Sequence, residues 1–262
     1  MLLKIKKIGF AIAVIGFAIS NAQQKLPFAI VSHKEGYANV RVHKDDYRKI
    51  VDKIKKGEVF LYEKVAEGET DWVWIKYPKK SKVEVPFERL DSLKNEGMIN
   101  KERFMFIDQL PSLTPTITKN GRTIILTNNH DTKRTEYKRT KIYIDIYASN
   151  AKLRRNEKNS EGKITSIDKA KPWGISNEFP EDLTEVKSIR IQQEGRGFTF
   201  PREALKNLFQ PTKDFEKLGA FIEDEDSIFL YMINGSGENR YTTIWTIKEG
   251  KAVSQIIYHD PE

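Results

Sequence analysis

The segment KIYIDIYA, Lys141 to Ala148, alternates without a break: Ile142, Ile144 and Ile146 on one side, Tyr143, Asp145 and Tyr147 on the other. Successive side chains of an extended backbone leave on opposite faces, so this period of two predicts a half-buried strand. The same pattern recurs along the chain, punctuated by turn signals. Asn120-Gly121 between TPTITK and RTIILT is a two-residue hairpin signal. KSIRIQQ and GFTF form a second candidate hairpin, and RYTTIWTIKEGKAVSQIIY folds about Glu249-Gly250. The nearly all-apolar SIFLYMI reads as a central strand, and GMINKERFMFI as extended.

Helical expectations are few. VEVPFERLDSLKNEG reads as helical after Pro86, since proline suits an early helix position. FPREALKNLFQP reads as a short helix with Pro201 at its start and Leu205, Leu208 and Phe209 on its buried stripe. KIVDKIKKGE fits helix or strand, with Gly57 permitting a turn into EVFLYEKV. QLPSLTPT, with Pro111 and Pro115, is the expected domain boundary. The expected fold is mainly β: a small barrel-like module over 26–110, then an α+β domain over 111–262 dominated by antiparallel sheet.

The first residues, MLLKIKKIGFAIAVIGFAISNAQQ, have the anatomy of a secretory signal. Lys4, Lys6 and Lys7 precede the apolar run Ile8 to Ile19, and Ser20-Asn21-Ala22 supplies small residues for cleavage after Ala22. The apolar run is short of the ~20 residues that span a bilayer, and no later segment approaches that length. The expectation is a signal peptide over 1–22 and a secreted or periplasmic chain of roughly 240 residues. Losing the three lysines lowers the formal charge of +8 by three, to +5. A modest positive excess favours anionic surfaces such as cell-wall polymers or lipid headgroups. Nucleic acid is not an expected partner of an exported chain whose bases are interleaved with acids. There is no cysteine, which excludes disulfides, thiol nucleophiles and thiolate metal sites and leaves the apolar core to hold the fold.

Alternation in GYANVR puts Tyr37, Asn39 and Arg41 on one face and Ala38 and Val40 on the other, while DWVWIKY splits Trp72, Trp74 and Lys76 from Val73, Ile75 and Tyr77. Two strands thus bury aliphatics and display aromatics. The order GYANVR, KIVDKIKKGE, DWVWIKY, GMINKERF resembles the bacterial SH3-like domain over about 80 residues. That resemblance implies a compact five- to six-stranded barrel that binds peptides or peptidoglycan peptides, with Tyr37, Asn39, Trp72 and Trp74 as the groove residues. In the alternative reading, Trp72 and Trp74 pack under neighbouring structure. Two features depart from the pattern: an insert near 78–96, and Met98 where the family carries an aromatic. The C-terminal half lies outside the resemblance; its NGSGENRYTTIW is similar to loops of uncharacterised secreted proteins.

Catalytic and metal signatures are sparse. His33, His43, His130 and His259 form no helical metal pair. His130 and Asp131 in TNNHD are the one candidate base with an orienting carboxylate, and no nucleophile accompanies them. Glu223 to Asp226, EDED, lacks the ligand spacing of a calcium loop. Asn234 to Arg240, NGSGENR, joins strands rather than opening a phosphate-binding helix. The basic segment Lys133 to Lys171 reads as a solvated surface more than an anion site, and KPWG, with Trp173, as an exposed loop or a core plug. The functional expectation is an exported non-enzymatic protein, without cofactor or metal, that binds a peptide or peptidoglycan at the cell envelope. The rivals are an inhibitor or immunity-type protein that binds an envelope protein through its C-terminal domain, and an enzyme built on His130 and Asp131.

Overall fold

The computed structural model describes residues 26–42, 49–68, 71–79, 85–128 and 137–261. The leader-like segment 1–22, His43, His130 and Asp131 lie outside them. The described chain is mainly β, built from antiparallel sheets. The N-terminal half forms β1 (Phe28–Val31), β2 (Tyr37–Arg41), β3 (Ile50–Lys55), β4 (Val59–Val65), β5 (Trp72–Tyr77), β6 (Glu88–Leu90), β7 (Asn95–Asn100) and β8 (Phe104–Phe106). All but β6 join one seven-stranded sheet in the order β3-β2-β7-β5-β4-β1-β8. This sheet is open, with β3 and β8 as edges, and so differs from the compact five- to six-stranded barrel. KIVDKIKKGE resolves as strand β3 and a turn at Gly57, whose φ of 73° favours glycine. Gly97 lets β2 approach β7 closely: a Cβ there would meet Val40 Cγ1 at 2.3 Å.

The C-terminal half forms β9 (Thr114–Ile117), β10 (Thr123–Thr127), β11 (Thr140–Ala148), β12 (Asn156–Lys158), β13 (Ile164–Ile167), β14 (Thr184–Gln193), β15 (Arg196–Thr199), β16 (Leu218–Ile222), β17 (Ser227–Asn234), β18 (Tyr241–Lys248) and β19 (Lys251–His259). One five-stranded sheet runs β15-β14-β11-β10-β9 and another β16-β17-β18-β19-β6, with β12 and β13 paired separately. The predicted hairpins form in register: Ile117 opposite Ile124 across Asn120-Gly121, Gln193 opposite Arg196, and Lys248 opposite Lys251. Ile142, Ile144 and Ile146 of β11 point into the core as the alternation predicts.

The three large sheets stack in layers, and the middle one explains why some strands lack alternation. Strand β17 sends Ile228, Leu230 and Met232 into a core shared with β10, β11 and β14. Its Phe229 and Tyr231 enter a second core with Leu26, Phe28, Ile30, Val59 and Leu61 of the N-terminal sheet. A strand covered on both faces has no solvent side to mark with polar residues. Strand β1 follows the same logic, because Ala29 and Val31 turn to a third core inside the N-terminal sheet.

Two helical expectations and the α+β class are corrected: the described residues contain strands and short 3-10 turns but no α-helix. The segment after Pro86 is strand β6, pairing parallel to β19 with Leu90 opposite Ile256. Phe87 packs on one core and Leu90 on the other, the opposite faces of an extended segment. In FPREALKNLFQP only Arg202–Ala204 make a 3-10 turn, and Asn207 and Gln210 break it with positive φ. Long-range bonds replace the helical ones: Trp245 Nε1 donates to the Ala204 carbonyl at 3.0 Å, and the buried Asn207 amide donates to Ile167 and Ala170 carbonyls at 2.7 and 2.9 Å. Trp173 of KPWG is a core plug, 3% exposed.

EDED forms the turn between β16 and β17 and abuts the turn at Gly57, where a Cβ would lie 2.9 Å from Glu223 Oε2. Burial raises the Glu223 carboxyl above its ordinary pKa, Asp224 adds to the shift, and Lys56 and Lys248 oppose it. Its Oε1 is buried and has no hydrogen-bond partner among the described residues. A carboxyl whose folded pKa is raised favours folding while protonated, and that contribution is lost as pH rises through the raised value. Glu223→Gln is therefore expected to melt at a higher temperature than the native chain at pH 7. The gap should close toward pH 4, and a gap that widens on acidification contradicts the assignment.

Candidate functional site

The alternation of β2 and β5 determines what the N-terminal sheet displays. Ala38, Val40, Val73 and Ile75 are buried, while Tyr37, Asn39, Arg41, Trp72 and Trp74 are half-buried on the other face. Register brings the two rows together through β7: Trp72 opposes Asn100, and Trp74 and Arg41 both oppose Met98, which is 1% exposed. Met98 thus fills the floor between the rows.

A cleft of about 200 Å³ opens on this face. Tyr37, Asn39, Arg41 and Trp72 line one part, and Glu35, Asn100, Glu102 and Arg103 the other. Three of the four residues singled out from the sequence therefore meet in one depression. Trp74 shares their face but does not line the cleft. No residue of the 78–96 insert lines it either; among the insert's described residues, Glu88–Leu90 pair with β19.

The cleft is polar and partly preorganised. Arg103 Nη1 donates to Glu35 Oε2 at 2.6 Å and lies 2.6 Å from His33 Nδ1. That hydrogen bond leads the effects that hold the Glu35 carboxyl below its ordinary pKa. The Arg41 guanidinium lies 5.6 Å from the Trp72 ring centroid, and Lys53 Nζ lies 4.5 Å from that of Tyr37. Cations over aromatic faces hold those rings in place. Asn39 Oδ1 and Arg41 Nε are buried with no hydrogen-bond partner among the described residues. Leaving such groups unpaired costs about 1–3 kcal/mol each. They lie two residues apart on one strand face, and turning either side chain toward a ligand would relieve that cost.

The other sequence candidates disperse. His33 belongs to the Arg103 bridge, and His259 Nε2 lies 2.8 Å from the Glu238 carbonyl at the far end of the molecule's sequence. No group of metal-ligating side chains occurs among the described residues. NGSGENR is the β17–β18 connection, and Lys138 of the basic segment pairs with Asp226 at 2.5 Å. No described helix is long and apolar enough to cross a membrane. The sequence reading missed Glu35, Asn100, Glu102 and Arg103 as cleft residues. Arg41 was legible by parity with Tyr37 and Asn39, whereas Asn100, Glu102 and Arg103 reach the site through the β5–β7 pairing and the Arg103–Glu35 salt bridge. No protein-family model, curated protein or solved structure matches the chain.

Proposed function

We propose that the chain is an exported, non-enzymatic binding protein whose N-terminal half is an SH3-like module that docks a peptide or peptidoglycan peptide at the cell envelope. The observation that carries this reading is the cleft, where Tyr37, Asn39 and Trp72 converge and where Asn39 Oδ1 and Arg41 Nε have no hydrogen-bond partner among the described residues. Aromatic walls supply contact area and polar groups fix a ligand's orientation, the division of labour common in peptide grooves. Trp74 flanks the cleft on the same sheet face and extends the contact. The leader-like N-terminus supports export, with cleavage after Ala22.

Co-sedimentation with purified, insoluble peptidoglycan tests the reading. Retention that soluble peptides released from the same material compete away is expected; a chain left wholly in the supernatant contradicts it. The alternative is an inhibitor or immunity-type protein that engages an envelope protein through its C-terminal half. Leu153, 87% exposed, favours it as an apolar anchor.

A further inference from the structure

We infer that the N-terminal sheet carries a second binding site, for a single-chain carboxylate amphiphile, in the groove over the free edge of β8. The groove encloses about 650 Å³, within the roughly 300–1,000 Å³ of ordinary small-molecule sites, whereas the cleft falls below that range. No residue lines both, so the two sites stand or fall separately.

Its walls are apolar. Leu26, Tyr62, Val65, Phe104, Met105 and Phe106 line it. The aromatic rings make an edge-to-face ladder: Phe60 to Phe104 at 5.4 Å, Phe104 to Phe106 at 5.7 Å, and Phe106 to Tyr62 at 5.4 Å. Such a surface suits an alkyl chain, which gains from each buried methylene.

Charge at the rim selects the head. Glu63 is held by Lys76, with Nζ to Oε1 at 2.5 Å, so its charge is already answered. Gln109 Oε1 accepts from the Phe106 backbone N–H at 3.0 Å. Lys101 remains as an exposed cation at the rim with no ion pair among the described residues. A largely apolar groove whose exposed cation has no ion pair among the described residues complements an apolar tail with one negative head. The geometry disfavours an added peptide strand, which needs backbone groups along an edge. Strand β8 has only three residues and one of its N–H groups is already taken.

Calorimetric titration of the full chain with dodecanoate, dodecanol and dodecylammonium, each below its aggregation concentration, tests the inference. Dodecanoate is expected to bind once per chain, roughly fivefold to tenfold more tightly than dodecanol, as one charge-assisted contact at a partly exposed site gives, and dodecylammonium most weakly. Lys101→Glu should erase the preference for the carboxylate without changing the melting temperature. Val65→Asp, at a position 41% exposed, should weaken dodecanoate and dodecanol. Equal binding of the three heads, a Lys101→Glu chain that keeps its preference, or a dimer that Val65→Asp dissociates would each overturn the assignment.

Discussion

Phe229→Ala is expected to cost about 3–5 kcal/mol, the usual range for emptying a buried phenylalanine site. In a chain of this size that lowers the melting temperature by roughly 6–20 °C. Phe229 is 0% exposed in the middle of β17, between Phe221 and Thr246 of the flanking strands. Its ring helps to fill the core between the middle sheet and Phe28, Ile30, Val59 and Leu61 of the N-terminal sheet. The cavity would therefore weaken the junction of the two halves as well as the sheet itself. One cooperative transition should move as a whole. Two separate transitions, with only the later half of the chain destabilised, would contradict this stacking of layers.

Trp72→Ala has the opposite profile, a large effect on binding and a small one on stability. An aromatic anchor at the centre of a binding site is worth about 2 kcal/mol or more, roughly thirtyfold in affinity. Trp72 is half-buried, lines the cleft, and its ring carries the Arg41 guanidinium. Removing it deletes a cleft wall and releases Arg41 together. Trp74→Ala is the internal comparison, because that ring shares the face and lies outside the cleft lining. Retention on peptidoglycan should fall much further for Trp72→Ala than for Trp74→Ala, with melting temperatures near the native value. Equal losses, or a loss matched by unfolding, would return Trp72 to a packing role.

What the sequence made legible was local. The KIYIDIYA strand and the hairpins at Asn120-Gly121 and Glu249-Gly250 are settled by alternation and turn chemistry within a dozen residues. SIFLYMI was legible as a strand because it is a short, nearly all-apolar run rich in β-forming residues, although its neighbours on both faces were not. The segment after Pro86 misleads because its extended form is imposed by β19, far along the chain, and by two cores that claim Phe87 and Leu90 separately. FPREALKNLFQP misleads likewise: Trp245, Arg89 and Tyr241 donate to its Ala204, Lys206 and Phe209 carbonyls, its Asn207 amide donates to the Ile167 carbonyl, and tertiary bonding overrides helix propensity.

The candidate site divides along the same line. Tyr37, Asn39 and Trp72 share a face by parity alone, which is why a period of two within two short strands was enough to find them. Arg103, Glu35 and Asn100 reach the cleft through pairing and a salt bridge, and no local pattern announces either. The groove over β8 is less legible still. It depends on β8 lying beside β1, so that the rings of Phe104 and Phe106 meet Phe60 and Tyr62 of β4.

Amide chemical-shift mapping on the labelled chain, during titration with soluble peptides released from peptidoglycan, tests the central claim most directly. Saturable shifts concentrated at Tyr37 to Arg41, Trp72 and Asn100 to Arg103, absent in Trp72→Ala, are the predicted result. Saturable shifts confined to the C-terminal sheets, or no shifts at all, would contradict it.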